Sequence, residues 1–442
     1  MHTCVRLALP ALLLVLPTAA GAGPIAHREV LPNGIVLLVA ERPAVPIVGV
    51  RVYFRAGSAF DPPDAPGLSN LTAELLTRGT ATRSGEELDR AIEFVGGSLE
   101  SNASRDGLTV ALSVLKKDLP LGLDLLADVI RAPSFPEHEL ALRVKEIQAA
   151  IKRSEENPEA VAGRELMQLV YPHHPYGHPV EGTRESVGAL TRQHVVQFYG
   201  RHVRSDTAIV AVVGAVTVEE ARKEILGRLG SWPRPSTPAP TVRVDDAPPP
   251  PPPQTRTIKR DLTQATVDMG RRAIRQDNPD YFALVVANYI LGGGSASRLY
   301  LRVREESGLA YSVGSHVSPG RYGSTAVVGL QTRTSEVAKA LSITRDELAR
   351  MSQEPVTDRE LSLAKSYLIG SFPLRLDTSS KVANFLVGVE EQGLGLDYAD
   401  TFKARVAQVR AEDVRRVAGR YLVPATFHVV TVGNVAPANE AR

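Results

Sequence analysis

Three histidines in the segment HHPYGH, at positions 173, 174 and 178, have a type and spacing that could bind a metal ion. Imidazole nitrogens are common zinc ligands, and a zinc site needs about three nitrogen, oxygen or sulfur ligands. The segment is rich in proline and glycine, however, and histidines in such a loop are usually polar surface groups. We favour the surface loop and keep metal binding by His173, His174 and His178 as the alternative.

Arg304 and Tyr311 lie seven positions apart in RLYLRVREESGLAYS and carry donors suited to a different chemistry. A guanidinium and a phenol can both hold a substrate carbonyl and stabilise the oxyanion that develops on it. The residue pattern alone favours a helix-end arginine with surface ion pairs and a tyrosine packed in a sheet. The glycines at 292–294 lack the Lys-Ser/Thr of a phosphate-binding loop, so they predict a turn.

The elements that must position these residues combine hairpins with helices. The patterns predict two strands over 34–58, a strand and an amphipathic helix over 109–133, a hairpin over 312–332 and a helix over 333–353. Runs of strands followed by runs of helices indicate α+β layers rather than a doubly wound parallel sheet.

One unit occurs twice along the chain. Residues 190–214 align with 409–433 without a gap, each as a helix start, an amphipathic helix, a Gly-Arg exit and an apolar strand ending in glycine. The unbroken prolines 248–253 predict a semi-rigid polyproline II spacer between the two copies. The predicted parts are a domain at 23–233, a Pro-rich linker at 234–254 and a second domain at 255–442.

The first residues, 1–22, predict a secretory signal peptide. Arg6 precedes an apolar core, and the small residues Ala20-Gly21-Ala22 follow it. The one cysteine of the chain, Cys4, lies in this segment, so the mature protein is expected to form no disulfide. A net charge of +2 over 442 residues argues against a nucleic-acid partner. We therefore expect a periplasmic or secreted protein without a membrane span.

The mature sequence resembles the pitrilysin/insulinase family of zinc metallopeptidases, in its two-domain bacterial, processing-peptidase-like branch. The landmarks follow one another in family order: LPNGIVLLVAE, GSAFDPPDAPGL, FVGGSLESNASRDGLTV, YGHPVEGTRESVGALT and SRLYLRVREESGLAYSVGS. The resemblance implies two homologous domains of the α+β class. Each would be an antiparallel-rich sheet with helices packed on one face, and together they would form a clamshell.

Active members of that family carry H-x-x-E-H in the segment that matches 67–80, GLSNLTAELLTRGT. Positions i and i+4 share a helix face, so two imidazoles can grip one zinc while the glutamate at i+3 polarises its water. A glutamate on a later helix completes the ligands. In this chain the first histidine falls on Asn70, the base on Ala73, the second histidine on Glu74 and the later glutamate on Ala150.

The resemblance therefore implies a degenerate zinc site, with no metal bound by this chain. A shifted site that uses Glu74, Glu155 or Glu156 remains an alternative. In the family, the residues that match Arg304 and Tyr311 reach across the chamber toward the zinc and contact the substrate carbonyl. The segment 96–106 resembles the edge strand that pairs with substrate main chain.

These features together suggest the zinc-less subunit of a two-chain peptidase. The expected partner is a zinc-bearing homologue with an intact H-x-x-E-H, and the expected substrate is a peptide. The alternatives are a purely structural or peptide-binding protein and an autonomous metallopeptidase with atypical ligands.

Overall fold

A computed structural model of the protein describes residues 25–242 and 252–436. The predicted signal peptide and most of the proline run lie outside these residues, as do residues 437–442. No helix in the described ranges is long and apolar enough to cross a membrane.

The first half builds a mixed sheet of six strands in the order β1-β2-β6-β3-β5-β4. The strands are β1 (His27–Val30), β2 (Val36–Glu41), β3 (Ile47–Phe54), β4 (Ser98–Ala103), β5 (Leu108–Leu115) and β6 (Ile209–Gly214). The β2–β6 pair is parallel, whereas the other pairs are antiparallel. β4 lies at one edge of the sheet, so one side of its backbone pairs with β5 and the other side has no strand partner.

The second half repeats this arrangement in a five-stranded sheet with the order β7-β11-β8-β10-β9. The strands are β7 (Thr255–Lys259), β8 (Gln264–Arg272), β9 (Ala310–Ser318), β10 (Thr325–Arg333) and β11 (His428–Gly433). Without β1, the first sheet has the same order and the same single parallel pair. The predicted α+β class, with two homologous antiparallel-rich domains, is confirmed.

Each half also contributes a set of helices. Those of the first half are α1 (Leu68–Leu76), α2 (Gly85–Phe94), α3 (Leu119–Arg131), α4 (Glu137–Glu156), α5 (Pro158–Val170), α6 (Arg184–Gly188), α7 (Arg192–His202) and α8 (Val218–Leu229). Those of the second are α9 (Tyr281–Gly292), a π-helical segment (Tyr300–Glu306), α10 (Val337–Gln353), α11 (Asp358–Ser371), α12 (Ser379–Gln392), α13 (Tyr398–Gln408) and α14 (Ala411–Tyr421).

Capping chemistry explains several of these helix starts. Thr191 accepts a hydrogen bond from the backbone N–H of His194 at the start of α7, as the sequence predicts. Ser84 and Glu87 form a reciprocal capping box at the start of α2. The polar residues at these exposed helix starts therefore accept from backbone N–H groups that have no partner within the helix.

The two halves exchange one helix each. α5 of the first half packs on β8 and β11, and α12 of the second half packs on β3 and β6. Leu166 of α5 joins Val430 and Val432 in one apolar cluster, while Leu386 of α12 joins Val213 in another. Each sheet is thus partly covered by a helix from the other half.

Polar contacts close the seam between the halves. The Tyr171 hydroxyl donates to the Ser324 carbonyl over 2.7 Å. The Asp106 carboxylate accepts from the backbone N–H of Arg321 over 3.0 Å and also from the Tyr176 hydroxyl. The halves are therefore joined by apolar and polar packing in addition to the linker.

Candidate functional site

Helix α1 begins at a sharp turn at the start of segment 67–80, the segment that lacks the histidines expected from the family resemblance. Gly67 has a φ of +93°, and a Cβ there would lie 2.6 Å from the Glu181 carbonyl oxygen, so glycine is required. The Asp61 carboxylate accepts from the backbone N–H groups of Gly67 and Ser69, each over 2.8 Å. The helix start is thereby anchored, and the scaffold of a metal-binding helix is intact.

The side chains on that helix do not form a metal site. Asn70 donates from Nδ2 to Glu74 Oε1 over 3.1 Å, so the amide and the carboxylate satisfy each other. Ala73, at the position of the general base, is fully buried and apolar. Ala150 on α4 supplies no donor atom. One carboxylate and one amide fall short of the ligands that zinc requires, so the residues present do not fit this metal.

The alternative metal sites gain no support from the geometry. In the described ranges, no group of three or more His, Cys, Asp or Glu side chains is placed to hold a metal ion. This holds for the neighbourhoods of Glu74, Glu155 and Glu156 as well as for the histidine loop.

The histidine loop is instead part of the seam between the halves. His174 Nδ1 accepts from the Tyr176 backbone N–H over 3.0 Å, and Nε2 lies 2.9 Å from the Tyr322 carbonyl, to which it donates. Burial lowers the pKa of His174, which favours this neutral form. The prediction of an exposed polar loop is therefore wrong for His174, although His173 is exposed.

Arg304 and Tyr311 come together on the second half. The guanidinium carbon of Arg304 lies 4.8 Å from the Tyr300 ring centroid and 5.5 Å from that of Tyr311. Tyr311 is 77% exposed, so it is not a tyrosine packed in the sheet. Tyr311 is therefore open to solvent, whereas Arg304 is half-buried, close to both tyrosine rings, and has its Nε 3.6 Å from the Glu305 carboxylate.

Two local irregularities place this pair. Arg304 lies in the π-helical segment. Such segments are rare in proteins, and those that occur are often found at functional sites. Along β9, Ser312 pairs with Gln331 and Ala310 pairs with Thr332, so Tyr311 is the extra residue of a β-bulge. A bulge turns a side chain away from its regular position, which accounts for the exposure of Tyr311.

The pair and helix α1 occupy separate places in one chain. α1 packs on α4, α7 and β4, whereas the π-helical segment packs on β9 and α10. Among the described residues, no hydrogen bond, ion pair or ring contact connects the two sites. The roles predicted for Arg304 and Tyr311 stay predictions at this stage.

The segment 96–106 contains the edge strand β4 and the turn that follows it. Asn102 pairs with Thr109 and Ala103 with Leu108 on β5, which fixes the register between these two strands. The other side of β4 is open along Ser98–Ala103. An extended peptide could add there through main-chain hydrogen bonds.

Comparison with known proteins agrees with this architecture. The model of the insulinase family (peptidase family M16) matches residues 36–184, and the model of the peptidase M16 inactive domain matches residues 189–368. An uncharacterized zinc protease of Mycobacterium leprae is 30% identical over 362 residues, which are 80% of this chain and 79% of that protein. Another, of Streptomyces coelicolor, is 28% identical and spans 89% of this chain and 86% of its own length.

Solved structures give the same result. A peptidase M16 inactive domain from Pseudomonas fluorescens superposes with a TM-score of 0.87 at 26% identity, covering 93% of this chain and 98% of that chain. A protease from Helicobacter pylori reaches a TM-score of 0.86 at 20% identity and covers 92% of this chain and 99% of its own, which shows a shared fold.

Proposed function

Because this chain belongs to the insulinase family of peptidases, peptidase family M16, we propose that it is the zinc-less subunit of a two-chain metallopeptidase. In this role it supplies Arg304 and Tyr311 to the active site of a zinc-bearing homologue that cleaves peptides. The predicted signal peptide supports a periplasmic or secreted location for the complex.

The observation that carries the proposal is the contrast between the two sites. The positions of the metal ligands and of the base hold Asn70, Ala73, Glu74 and Ala150, which do not fit zinc. Arg304 and Tyr311, by contrast, are held side by side and are accessible. Side chains with only a packing role would not need a π-helical segment and a bulge to present them.

The separation of the Arg304/Tyr311 pair from α1 within one chain also favours a function that requires a second chain. The seam between the halves is filled by the exchanged helices α5 and α12, and it does not bring the pair to α1. A peptide held by Arg304 and Tyr311 therefore needs its hydrolytic water from another protein. Relatives are named zinc proteases, but this chain lacks the residues that such a site requires.

The chemistry of the pair suits the transition state of peptide hydrolysis. The partner's zinc would activate the attacking water. The guanidinium N–H groups of Arg304 and the hydroxyl of Tyr311 would donate to the carbonyl oxygen as it gains negative charge. Donors fixed in place before the reaction stabilise that charge without reorganising, and loss of one such donor lowers kcat about 10²- to 10³-fold.

Reconstitution tests the proposal directly. The chain is mixed with the secreted insulinase-family homologue of the same organism that has an intact H-x-x-E-H, and turnover of a quenched fluorescent peptide is measured. We expect activity only in the mixture. Arg304→Ala or Tyr311→Phe should lower kcat about 10²-fold or more. Arg333→Ala and Tyr367→Phe, at exposed positions of the same half, serve as matched controls.

Two results would contradict the proposal. Turnover of the mixture that is unchanged by Arg304→Ala and Tyr311→Phe would remove the oxyanion role. A mixture that forms a complex but is no more active than the homologue alone would favour a structural or peptide-binding protein.

A further inference from the structure

A cavity of about 480 Å³ lies beside the predicted zinc-site positions Asn70, Ala73, Glu74 and Ala150, which we call the altered metal wall. α4 contributes Ala150, Ile151 and Ser154, and α5 contributes Ala160, Gly163, Arg164 and Met167. The loop at 177–182 and Arg105, from the turn after β4, complete the lining. Ala150 thus belongs both to the altered zinc site and to this cavity.

The charged groups of the cavity are unbalanced. Arg105 and Arg164 carry two positive charges, and Glu181 is the acidic side chain among the lining residues. No ion pair within 4.0 Å joins Glu181 to either arginine in the part of the chain that the structure describes. The cavity therefore has a positive excess next to a wall where active relatives of this fold carry a metal ion.

Arg105 has a buried donor without an acceptor. Its Nε is inaccessible to solvent and makes no hydrogen bond. Its guanidinium carbon lies 5.9 Å from the Tyr176 ring centroid, a contact that orients the side chain but leaves its N–H groups free. Buried donors in folded proteins nearly always have partners, so the orphaned Nε shows that the described chain does not fully satisfy this guanidinium.

Arg164 is held in place by a neutral partner. Its Nη2 donates to Ser154 Oγ over 2.9 Å, and Ser154 in turn donates to the Ile151 carbonyl over 2.8 Å. Ser154 thus fixes the side chain and leaves its charge uncompensated. Around it, a Cβ added to Gly163 would meet no atom within 4 Å, so there is space for a ligand.

From these contacts we propose that the cavity binds a carboxylate group of a peptide, through Arg105 and Arg164. Arginine suits this ligand because its planar fork of donors matches the two oxygens of a carboxylate. The ligand belongs to a peptide because β4, whose open edge accepts an extended chain, ends at Ala103, two residues before Arg105. The carboxylate comes either from an acidic side chain or from the peptide's C-terminus.

This inference concerns the isolated chain and does not depend on a partner subunit. It assigns the altered site a binding role: where active relatives would use the wall for catalysis, this chain would hold one end or one acidic residue of a peptide. Its test measures binding, whereas the test of the proposed function measures turnover, so the two can fail separately.

The test uses three unlabelled peptides of otherwise identical sequence, titrated calorimetrically into the isolated chain. One has a central Glu and an amidated C-terminus, the second has Gln and an amidated C-terminus, and the third has Gln and a free C-terminal carboxylate. The buffer is freed of metal with a chelating resin and has low ionic strength, because salt screens the interaction. Tighter binding of the first peptide than of the second, by about tenfold, identifies the side chain as the source. The same gain for the third peptide identifies the C-terminus.

Variants link the preference to the cavity. Arg105→Gln and Arg164→Gln should each remove the carboxylate preference, so that all three peptides bind about as weakly as the amidated Gln peptide. Arg153→Gln, on the exposed side of α4, is the matched control and should keep the preference. Circular dichroism verifies folding, and Arg164→Gln decides the case if Arg105→Gln disturbs the seam. Equal affinities for the three peptides, or a preference that survives in both folded variants, would overturn the proposal.

Discussion

Glu74 is the carboxylate that remains on the altered wall of α1, and its surroundings make it a poor metal ligand. Burial raises the pKa of Glu74, although the Asn70 amide and Arg143 act in the opposite direction. A metal ion would have to displace both a proton and the amide donor. Glu146 and Glu181 lie near enough to raise this pKa further, but the described ranges contain no group of three or more side chains that could hold a metal ion. The residues at these predicted ligand positions are therefore too few and too weak as ligands for zinc.

His202 gives a residue-scale prediction about pH and stability. It is 6% exposed, stacks on Phe198 and Phe60, and its Nδ1 has no hydrogen-bond partner. Burial, with Arg201 and Arg204 nearby, lowers the pKa of His202 to about 4. The unfolded chain takes up the proton near pH 6.5. Above that pH the imidazole is neutral in both states, and the unfolding free energy has its full value. As the pH falls toward 4, the unfolded chain binds a proton that the folded chain does not, so the unfolding free energy decreases.

We expect this loss to reach about 3 kcal/mol of unfolding free energy by about pH 4. His202→Phe keeps the aromatic packing but does not titrate, so its stability relative to wild type should rise as the pH falls. Urea unfolding at several pH values measures the difference. His138→Gln, at an exposed position, is the control and should leave the pH dependence unchanged. A constant difference between wild type and His202→Phe across this range would refute the assignment.

At the scale of elements, the exchanged helices couple the two halves. Leu166 of α5 is 2% exposed and lies against Gly270 of β8, where even a Cβ would come within 2.7 Å of its Cδ2. Because α5 belongs to the first half in sequence but packs on the second sheet, damage at this contact should be felt by both halves.

The one tryptophan of the chain makes this coupling measurable. Trp232 lies 5.9 Å from Phe54, centroid to centroid, and so reports on the first half. Leu166→Ala should lower the unfolding free energy by about 2–5 kcal/mol and shift the Trp232 fluorescence transition to lower urea. Gln168→Ala, exposed on the same helix, should change stability by less than about 0.5 kcal/mol. A Trp232 transition that Leu166→Ala leaves in place would show that the halves unfold independently.

Sequence patterns predicted the regular elements well and the irregular ones poorly. Strands β2 and β3 and the β9–β10 hairpin follow from their apolar residues, although β6 lies between β2 and β3 in the sheet. The duplicated helix-strand unit follows from its register. The π-helical segment and the bulge at Tyr311 were not predicted, because neither changes the apolar pattern. The helix exchange was missed for a related reason: apolar residues indicate that α5 is buried but not against which sheet.

On α1 the side chains of Asn70 and Glu74 are in contact. The degenerate zinc site at Asn70, Ala73 and Glu74 could be predicted from the family resemblance. The cavity with Arg105 and Arg164 could not, since it joins a turn after β4 to α5, and these approach only in the folded chain. The sequence offered one weak indication of this cavity, an arginine two residues after an edge strand.

At the scale of the whole molecule, the proposed function makes this protein one of two chains that together form an active site. The halves are closed on each other by α5, α12 and the contacts of Asp106 and His174. Within residues 25–242 and 252–436, Arg304 and Tyr311 make no hydrogen bond, ion pair or ring contact with α1. A complete site for peptide hydrolysis then requires a second polypeptide, and the isolated chain should bind peptides without cleaving them.

Metal analysis of the isolated chain tests this claim most directly. The purified protein is dialysed against zinc, passed through a desalting column, and assayed for bound zinc and for peptide turnover. We predict far less than one zinc per chain and no hydrolysis above buffer. One tightly bound zinc per chain, lost in Glu74→Ala together with turnover by the chain alone, would contradict the account.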